Sequence, residues 1–241
     1  NLFFARGVLL VEGDAENLLI PTIAKIIERP LHRYGVSIVN VGSTAFAHFV
    51  RIFHRQDGAL MGIRVALVTD MDVKTQEWTD SSGHASTEEE IEAAKLTRWQ
   101  SLKDFKNDEV KVFVSPNWTL EYEISLGSFQ KEFYKAMLWA EKMSNSQSGM
   151  PRESKADEVD ATVESDFEKW LGCWDGDPRK NEKIAFELYQ KTMLGKRISK
   201  AVTAQVFAEY LEDRLKEPDP SALRLEVQGA KNLQYILDAI Y

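Results

Sequence analysis

Short, mostly apolar runs punctuate the first half of the chain. They are Gly7–Val11 (GVLLV), Val36–Val41 (VSIVNV), Val65–Val68 (VALV) and Val110–Val114 (VKVFV). Runs of this length are typical of strands buried on both faces of a parallel sheet. Helical spacing over residues 17–27 and 45–53, and a capping-box pattern at Thr87 and Glu90, place helices between them. The alternation predicts an α/β unit with a mostly parallel sheet.

The second half of the chain shows only helical periodicity. The predicted helices cover residues 120–143, 161–171, 182–194, 199–216 and 222–241. Residues 144–160 are rich in Ser and charged residues and almost free of apolar side chains, which predicts a linker or long loop. We therefore expect an α/β domain over residues 1–125 and a helical domain over residues 126–241.

The amino-acid composition is that of a globular protein without a membrane span or an intrachain disulfide. The chain has 241 residues, 44% of them hydrophobic and 28% charged, an ordinary globular balance. No apolar run approaches the roughly 20 residues that a membrane-spanning helix needs, so no membrane partner is expected. A single cysteine, Cys173, excludes an intrachain disulfide and favours a reducing compartment, the cytoplasm. The chain begins with Asn and enters a strand almost at once, which predicts a piece of a longer protein.

Acidic residues follow the first and third predicted strands. Glu12 ends the first strand, Asp70 and Asp72 end the third, and Glu16 lies in the first turn of the helix after Glu12. The carboxyl ends of parallel strands meet at one edge, so four carboxylates are expected to share a small volume. Repulsion between them would be relieved by hard divalent cations, and oxygen-only ligands favour Mg²⁺ or Mn²⁺. Several carboxylates suggest two ions, as in phosphodiester cleavage.

Each of these residues alone has a simpler interpretation. A single Asp or Glu after a strand is usually a turn residue or a favourable charge at a helix N-terminus. The combination is more specific, because it requires Glu12 at the first strand end, Gly42 at the second and Asp-x-Asp at the third, in that order. The net charge of −8 argues against nucleic-acid binding by overall electrostatics, so such a function would need a local site.

That order resembles the Toprim domain. The segments at residues 11–16 (VEGDAE) and 68–72 (VTDMD) resemble the glutamate and Asp-x-Asp motifs of Toprim enzymes. Further features resemble the overcoming-lysogenization-defect (OLD) family of ATP-dependent nucleases: the Glu12/Glu16 pair, Ser115 with Thr119-Leu120-Glu121, and Ser199-Lys200. The resemblance implies a Toprim-type, mostly parallel sheet flanked by helices and followed by a helical domain. It also implies that residues of about 195–211 pack back on the Toprim site.

The resemblance implies a metal-dependent DNA endonuclease and assigns roles to individual residues. The metal ligands are expected to be Glu12, Glu16, Asp70, Asp72 and Glu121. Glu12, Asp70 and Lys200 are the expected catalytic residues, since an ammonium over the scissile phosphate would stabilise the charge of the transition state. Lys196 is the alternative lysine. The expected contacts to substrate or metal-bound water are Gly42, Ser115 and Lys196; Ser115 could equally be a turn hydroxyl.

Family resemblance also predicts partners. An N-terminal ABC-type ATPase precedes the Toprim part in OLD proteins, and one class of the family has a helicase partner. This chain has no phosphate-binding loop, because residues 194–197 (LGKR) lack both the first glycine and the hydroxyl, so it should hold no ATP site. Two other functions stay open: a Toprim enzyme acting on RNA, and a non-catalytic module that binds a metal and docks a partner.

Overall fold

Four parallel strands form the sheet: β1 (Gly7–Val11), β2 (Val36–Asn40), β3 (Arg64–Thr69) and β4 (Val110–Val114). The computed structural model describes residues 4–42, 46–53, 62–144, 155–190 and 198–241. The strands pair in the order β2–β1–β3–β4. Gly7 is in register with both Val36 and Arg64. Because β1, β2 and β3 are parallel and in register, their carboxyl ends lie at one edge of the sheet.

Helices surround the sheet and form most of the second half of the chain. They are α1 (Asp14–Ile26), α2 (Phe46–Phe53), α3 (Glu88–Leu102), α4 (Leu120–Leu126), α5 (Gln130–Ser144), α6 (Ala156–Cys173), α7 (Lys180–Tyr189), α8 (Lys200–Leu215), α9 (Ser221–Gly229) and α10 (Gln234–Ile240). Short 3₁₀ turns cover Leu31–Tyr34, Lys103–Phe105 and Lys231–Leu233. Within the described ranges, no helix is both long and apolar enough to cross a bilayer.

Both faces of the sheet are covered by helices. Leu9 of β1 belongs to a core that includes Leu19 of α1 and Phe207 of α8. Leu10, which points to the other face, belongs to a second core with Phe53 of α2. Because successive residues of a strand point to opposite faces, a strand covered on both sides needs apolar residues at every position. This explains the unbroken GVLLV run and confirms the predicted α/β sheet flanked by helices.

Strand predictions were the most accurate. β1 and β4 have the predicted bounds, β2 ends one residue earlier than predicted, and β3 is one residue longer than predicted at each end. The predicted helix over residues 120–143 was wrong, because α4 ends at Leu126 and α5 begins at Gln130. The predicted helix over residues 222–241 was also wrong, since the backbone leaves the helical region at Ala230. The predicted linker lies largely outside the described residues, but its last part, from Ala156, is the start of α6.

Helix α8 returns from the second half of the chain to the sheet. It packs against α1 and α5, and its residues share one core with β1, α1, α5 and α6. Lys200, the first residue of α8, is thereby brought near the carboxyl edge of the strands, where Glu121 lies in the first turn of α4. The domain boundary at residue 125 stays a prediction.

Candidate active site

The topological switch point of the sheet lies between the carboxyl ends of β1 and β3. Strand β1 has β2 on one side and β3 on the other, so the connections after the two strands run in different directions. Open α/β sheets bind ligands at this position, in the crevice outside the strand ends. Val11 is in register with Val68, which places Glu12 level with Thr69 and next to Asp70.

Glu12 and Glu16 enter the switch point from β1 and the first turn of α1. Glu12 accepts a hydrogen bond from the hydroxyl of Thr69, yet burial outweighs this bond and raises the pKa of Glu12. Glu16 is only 8% exposed. Burial, followed by repulsion from Glu121, raises the pKa of Glu16 to about 7. Gly13 makes room for it, since a Cβ at that position would lie 3.1 Å from Glu16 Oε2.

Asp70 extends from the end of β3 toward the start of α4. Its Oδ1 accepts a hydrogen bond from the backbone N–H of Leu120 at 2.9 Å. Burial raises the pKa of Asp70 well above its usual value, and repulsion from Glu121 and Glu16 raises it further. The charged form of Asp70 is therefore disfavoured by desolvation first and by the neighbouring carboxylates second.

Asp72 is held by an unusual backbone conformation. Its φ of 59° lies in the left-handed region, which Asp tolerates better than most residues. Its N–H donates to the carbonyl of Trp118 at 3.0 Å, and the N–H of Met71 donates to Ser115 Oγ at 2.8 Å. These bonds join the loop after β3 to the loop after β4, so the two loops position the acidic residues as one unit.

Glu121 and Lys200 complete the cluster from the helical half of the chain. Thr119 caps α4 and places Glu121 in its first turn, where the side chain is 4% exposed. Lys200 follows the N-cap Ser199 of α8, and its Nζ lies 3.0 Å from Glu121 Oε2. Burial lowers the pKa of Lys200, but Glu121 and other nearby groups outweigh it and hold this pKa above its usual range.

Electrostatic interactions connect all five expected acidic side chains into one group. Glu16, Glu12 and Glu121 each raise the pKa of Asp70, and Asp72 raises that of Glu12. These residues come from four segments of the chain, the end of β1, α1, the loop after β3 and α4, but lie at one edge of the sheet. Five carboxylates face two close cationic side chains, Arg98 and Lys200, so the cluster has a formal excess of negative charge.

The donor set fits hard divalent cations. Its members are carboxylate oxygens: Glu16 and Glu121 are buried, Glu12 and Asp70 are partly buried, and Asp72 is exposed. Hard divalent cations take oxygen ligands of this kind. Across the part of the chain that the structure describes, no three Asp, Glu, His or Cys side chains already form a metal cage. Arg98 and Lys200 pair with three of the carboxylates instead.

Three further residues expected at the site have different surroundings. Ser115 is fully buried, and its hydroxyl accepts from Met71 N–H and donates to the carbonyl of Trp118, so it holds a loop rather than facing a ligand. Gly42 has a φ of 73° after β2, is exposed, and has open space around its Cα. Lys196 lies outside the described residues.

Sequence reasoning missed Arg98. Its guanidinium comes from α3 and contacts Glu12, Thr69 and Asp72. Arg98 is one of two basic residues, with Lys95, on a mostly exposed helix; it lies 26 positions after Asp72, and its spacing carries no motif. The only indication of these contacts in the sequence was that a helix following the third strand could return over the strand ends.

Part of the chain is similar to a known protein family, and nearly the whole chain is similar to solved structures. Residues 3–72 match the family model described as overcoming lysogenization defect protein-like, TOPRIM domain. No curated protein sequence matches the chain. Solved structures similar to it include the C-terminal region of the Burkholderia pseudomallei OLD protein, with 24% identity and a TM-score of 0.49 over 99% of this chain and 100% of that one. The C-terminal region of the Xanthomonas campestris pv. campestris OLD protein, phased with platinum, shows 23% identity and a TM-score of 0.48 over 99% and 95%.

The matched segment contains four of the acidic residues described above. It begins before β1, includes Glu12 and Glu16, and ends at Asp72. Glu121 and Lys200 lie beyond it. Residues 3–72 of this chain are therefore similar to the TOPRIM domain of overcoming lysogenization defect protein-like proteins.

Proposed function

We propose that the chain is a divalent-metal-dependent DNA endonuclease, the C-terminal part of an ATPase–nuclease. The observation that carries the proposal is the convergence of Glu12, Glu16 and Asp70. They come from three segments, all have raised pKa values, and Glu16 and Asp70 each owe part of the rise to other carboxylates of the cluster. Concentrating negative charge in this way lowers the stability of the folded chain. Divalent cations bound here would offset the repulsion and serve catalysis.

The acidic residues of the cluster are the proposed ligands of the metal ions. The proposed ligands are Glu12, Glu16, Asp70, Asp72 and Glu121. Two Mg²⁺ or Mn²⁺ ions, when bound, would supply an activated water and neutralise charge on the reacting phosphate and its leaving oxygen. Asp70 is the central ligand, because it interacts electrostatically with Glu12, Glu16 and Glu121 and is held by the N–H of Leu120.

Lys200 is the proposed catalytic cation. Its side chain is about half exposed while its partner Glu121 is buried, so the ammonium lies at the boundary between the carboxylates and solvent. A phosphodiester reaching the cluster from solvent would meet this ammonium first. There it can hold a non-bridging oxygen and stabilise the charge that develops at phosphorus. Lys196 stays the alternative.

DNA is the proposed substrate, on the strength of the OLD-type Toprim segment. The chain's net charge of −8 disfavours broad electrostatic attraction to a polyanion, so binding must depend on the local cations. An ABC-type ATPase domain N-terminal to the Toprim segment is the proposed intramolecular partner. A helicase is a second proposed partner, as in one class of the family.

The proposal is tested with supercoiled plasmid and the Asp70→Asn variant. Asparagine keeps the oxygen that accepts the Leu120 N–H and removes the charge, so the fold should persist, as circular dichroism would verify. We expect nicking by the unaltered chain with Mg²⁺ or Mn²⁺, no nicking with EDTA, and loss of at least roughly 100-fold in rate in the variant. Asp238→Asn is the matched control, because Asp238 is exposed on α10.

Other outcomes would point to other functions. Nicking that survives in Asp70→Asn removes the assignment of the site. Cleavage of RNA but not plasmid, in parallel reactions, indicates a Toprim enzyme acting on RNA. Calorimetric binding of Mn²⁺ without cleavage of either polymer indicates a non-catalytic metal-binding module.

A further inference from the structure

Arg98 lies between the two acidic motifs of the Toprim segment. Its Nη2 is 3.5 Å from Glu12 Oε1 and 3.2 Å from Asp72 Oδ2. The side chain is 19% exposed and reaches the strand ends from α3. One guanidinium therefore joins the end of β1 to the loop after β3, and none of the roles assigned above uses it.

The surroundings of Arg98 Nη2 are those of a bound cation. Besides the two carboxylates, it lies 3.1 Å from Thr69 Oγ1 and 3.0 Å from the carbonyl oxygen of Asp70. This nitrogen carries only two hydrogens, so it cannot donate a directed bond to four oxygens at once. Carboxylate, hydroxyl and carbonyl oxygens around one positive centre are the ligands that hard divalent cations take.

Helix α3 has few other contacts that fix its position. Within it, Ile91 and Leu102 are the buried residues, while Leu96 is 59% exposed. A helix with so little buried apolar surface gains little stability from packing. Trp99 packs against the second core from the same part of the helix, and the bonds of Arg98 tie this part to the edge of the sheet.

We propose that Arg98 is a built-in counter-ion: in the metal-free chain it holds Glu12 and Asp72 together, and a divalent cation must displace it from their oxygens. The inference deepens the proposed function and rests on it, since it concerns the same site. It makes Arg98 a positioning residue for the acidic motifs. It also predicts that removing Arg98 strengthens cation binding, whereas removing a residue that only supported the structure would weaken it.

The test is calorimetric titration of Mn²⁺ into the unaltered chain and into Arg98→Gln, Arg98→Lys and Arg33→Gln. Removing the competing charge should tighten Mn²⁺ binding by Arg98→Gln about three- to tenfold, and Arg98→Lys should fall between the two. Arg33→Gln is the matched control: it removes the same charge from an exposed 3₁₀ turn before β2, at the other end of the strands, and should leave the affinity unchanged.

The outcomes separate this inference from the proposed function. If the unaltered chain binds no Mn²⁺, the proposed function itself fails. If it binds Mn²⁺ and Arg98→Gln binds with equal or lower affinity, only the counter-ion inference is overturned.

If Arg98→Gln does not fold, hydrogen exchange of the unaltered chain decides. Mn²⁺ should then accelerate exchange of the α3 amides, because displaced Arg98 no longer ties the helix down. Unchanged or slower exchange in α3 would contradict the inference.

Discussion

The ammonium of Lys200 lies 3.0 Å from Oε2 of Glu121, across a separation of 79 residues in sequence. This ion pair connects the first turn of α8 to the first turn of α4 and so links the helical half of the chain to the acidic edge of the sheet. Glu121 is almost fully buried and Lys200 is half exposed. The pair therefore presents a positive group to solvent directly beside a cluster of carboxylates.

Lys200→Met should lower the rate of plasmid nicking at saturating Mg²⁺ by roughly 100-fold or more, because the ammonium that faces the phosphate is lost. Lys200→Arg should retain part of the rate. Mn²⁺ affinity of Lys200→Met, measured by calorimetry, should not fall, because the substitution removes a cation and no ligand.

Two variants make the lysine test specific. Lys216→Met removes the same charge from the end of α8, where the side chain is 70% exposed, and should nick at the normal rate. Lys196→Met is run alongside. Full activity in Lys200→Met with loss in Lys196→Met would transfer the catalytic role to Lys196.

Glu16 should destabilise the metal-free chain at neutral and alkaline pH. Its pKa is about 7 in the folded chain against an ordinary value of 4.5, so the folded state holds the proton more tightly than the unfolded state. The stability associated with this proton is fully present below about pH 4.5 and is lost as the pH rises through 7. The difference corresponds to at most about 3 kcal/mol.

Glu16→Gln should therefore raise the free energy of urea unfolding by about 1–3 kcal/mol at about pH 8 in EDTA. At about pH 4 the variant and the unaltered chain should differ little. Glu88→Gln, at an exposed position of α3, should leave stability unchanged at both pH values. A Glu16→Gln variant that is less stable than the unaltered chain at alkaline pH would show that the charged Glu16 carboxylate does not destabilise the folded state.

Divalent cations should stabilise the chain, and more so at higher pH. A cation present at about 100 times its dissociation constant adds about 2.7 kcal/mol to the free energy of unfolding. Below about pH 6 protons on Glu16 compete with the cation, since the pKa of this residue is about 7. Thermal unfolding with and without Mg²⁺ at two pH values measures the effect. A shift of the same size at both would mean that the ion binds away from Glu16.

Ser115→Ala should impair the site without removing a ligand. The substitution leaves the buried N–H of Met71 without its acceptor, which costs about 1–3 kcal/mol in unfolding free energy. It also frees the loop that carries Asp72, so Mn²⁺ affinity should fall. Ser144→Ala is the control, because the Ser144 hydroxyl bonds only within its own helix. Unchanged stability and affinity in Ser115→Ala would remove this positioning role.

The sequence predicted the strands well because their environment dictates their composition. Every position of β1 is covered from one face or the other, so its apolar run has few alternative interpretations. The break at Gly127 could not be seen in the same way. Ile124 of α4 and Phe133 of α5 pack into one core. The helical spacing of apolar residues therefore continues across the break between the two helices. Likewise, α6 begins in a polar segment where Val159 is the first buried residue.

The proximity of Glu12, Glu16 and the Asp70/Asp72 pair was predictable from position alone, because a parallel sheet gathers its strand ends at one edge. Glu121 was expected only through the family resemblance. The cationic side chains of the site were harder to predict from the sequence. Lys200 was chosen through a family resemblance, and Arg98 was missed, because its contacts with Glu12 and Asp72 depend on how α3 returns over the sheet. Such long-range placement follows from tertiary packing, and no local spacing encodes it.

The most direct test is a crystal of the chain soaked in Mn²⁺, with the ion positions taken from anomalous scattering. We predict Mn²⁺ at the carboxyl ends of β1 and β3, with ligands drawn from Glu12, Glu16, Asp70, Asp72 and Glu121. Mn²⁺ bound elsewhere, or Glu12 and Asp70 sharing no ion at saturating concentration, would contradict the assignment of this edge as a metal-dependent active site.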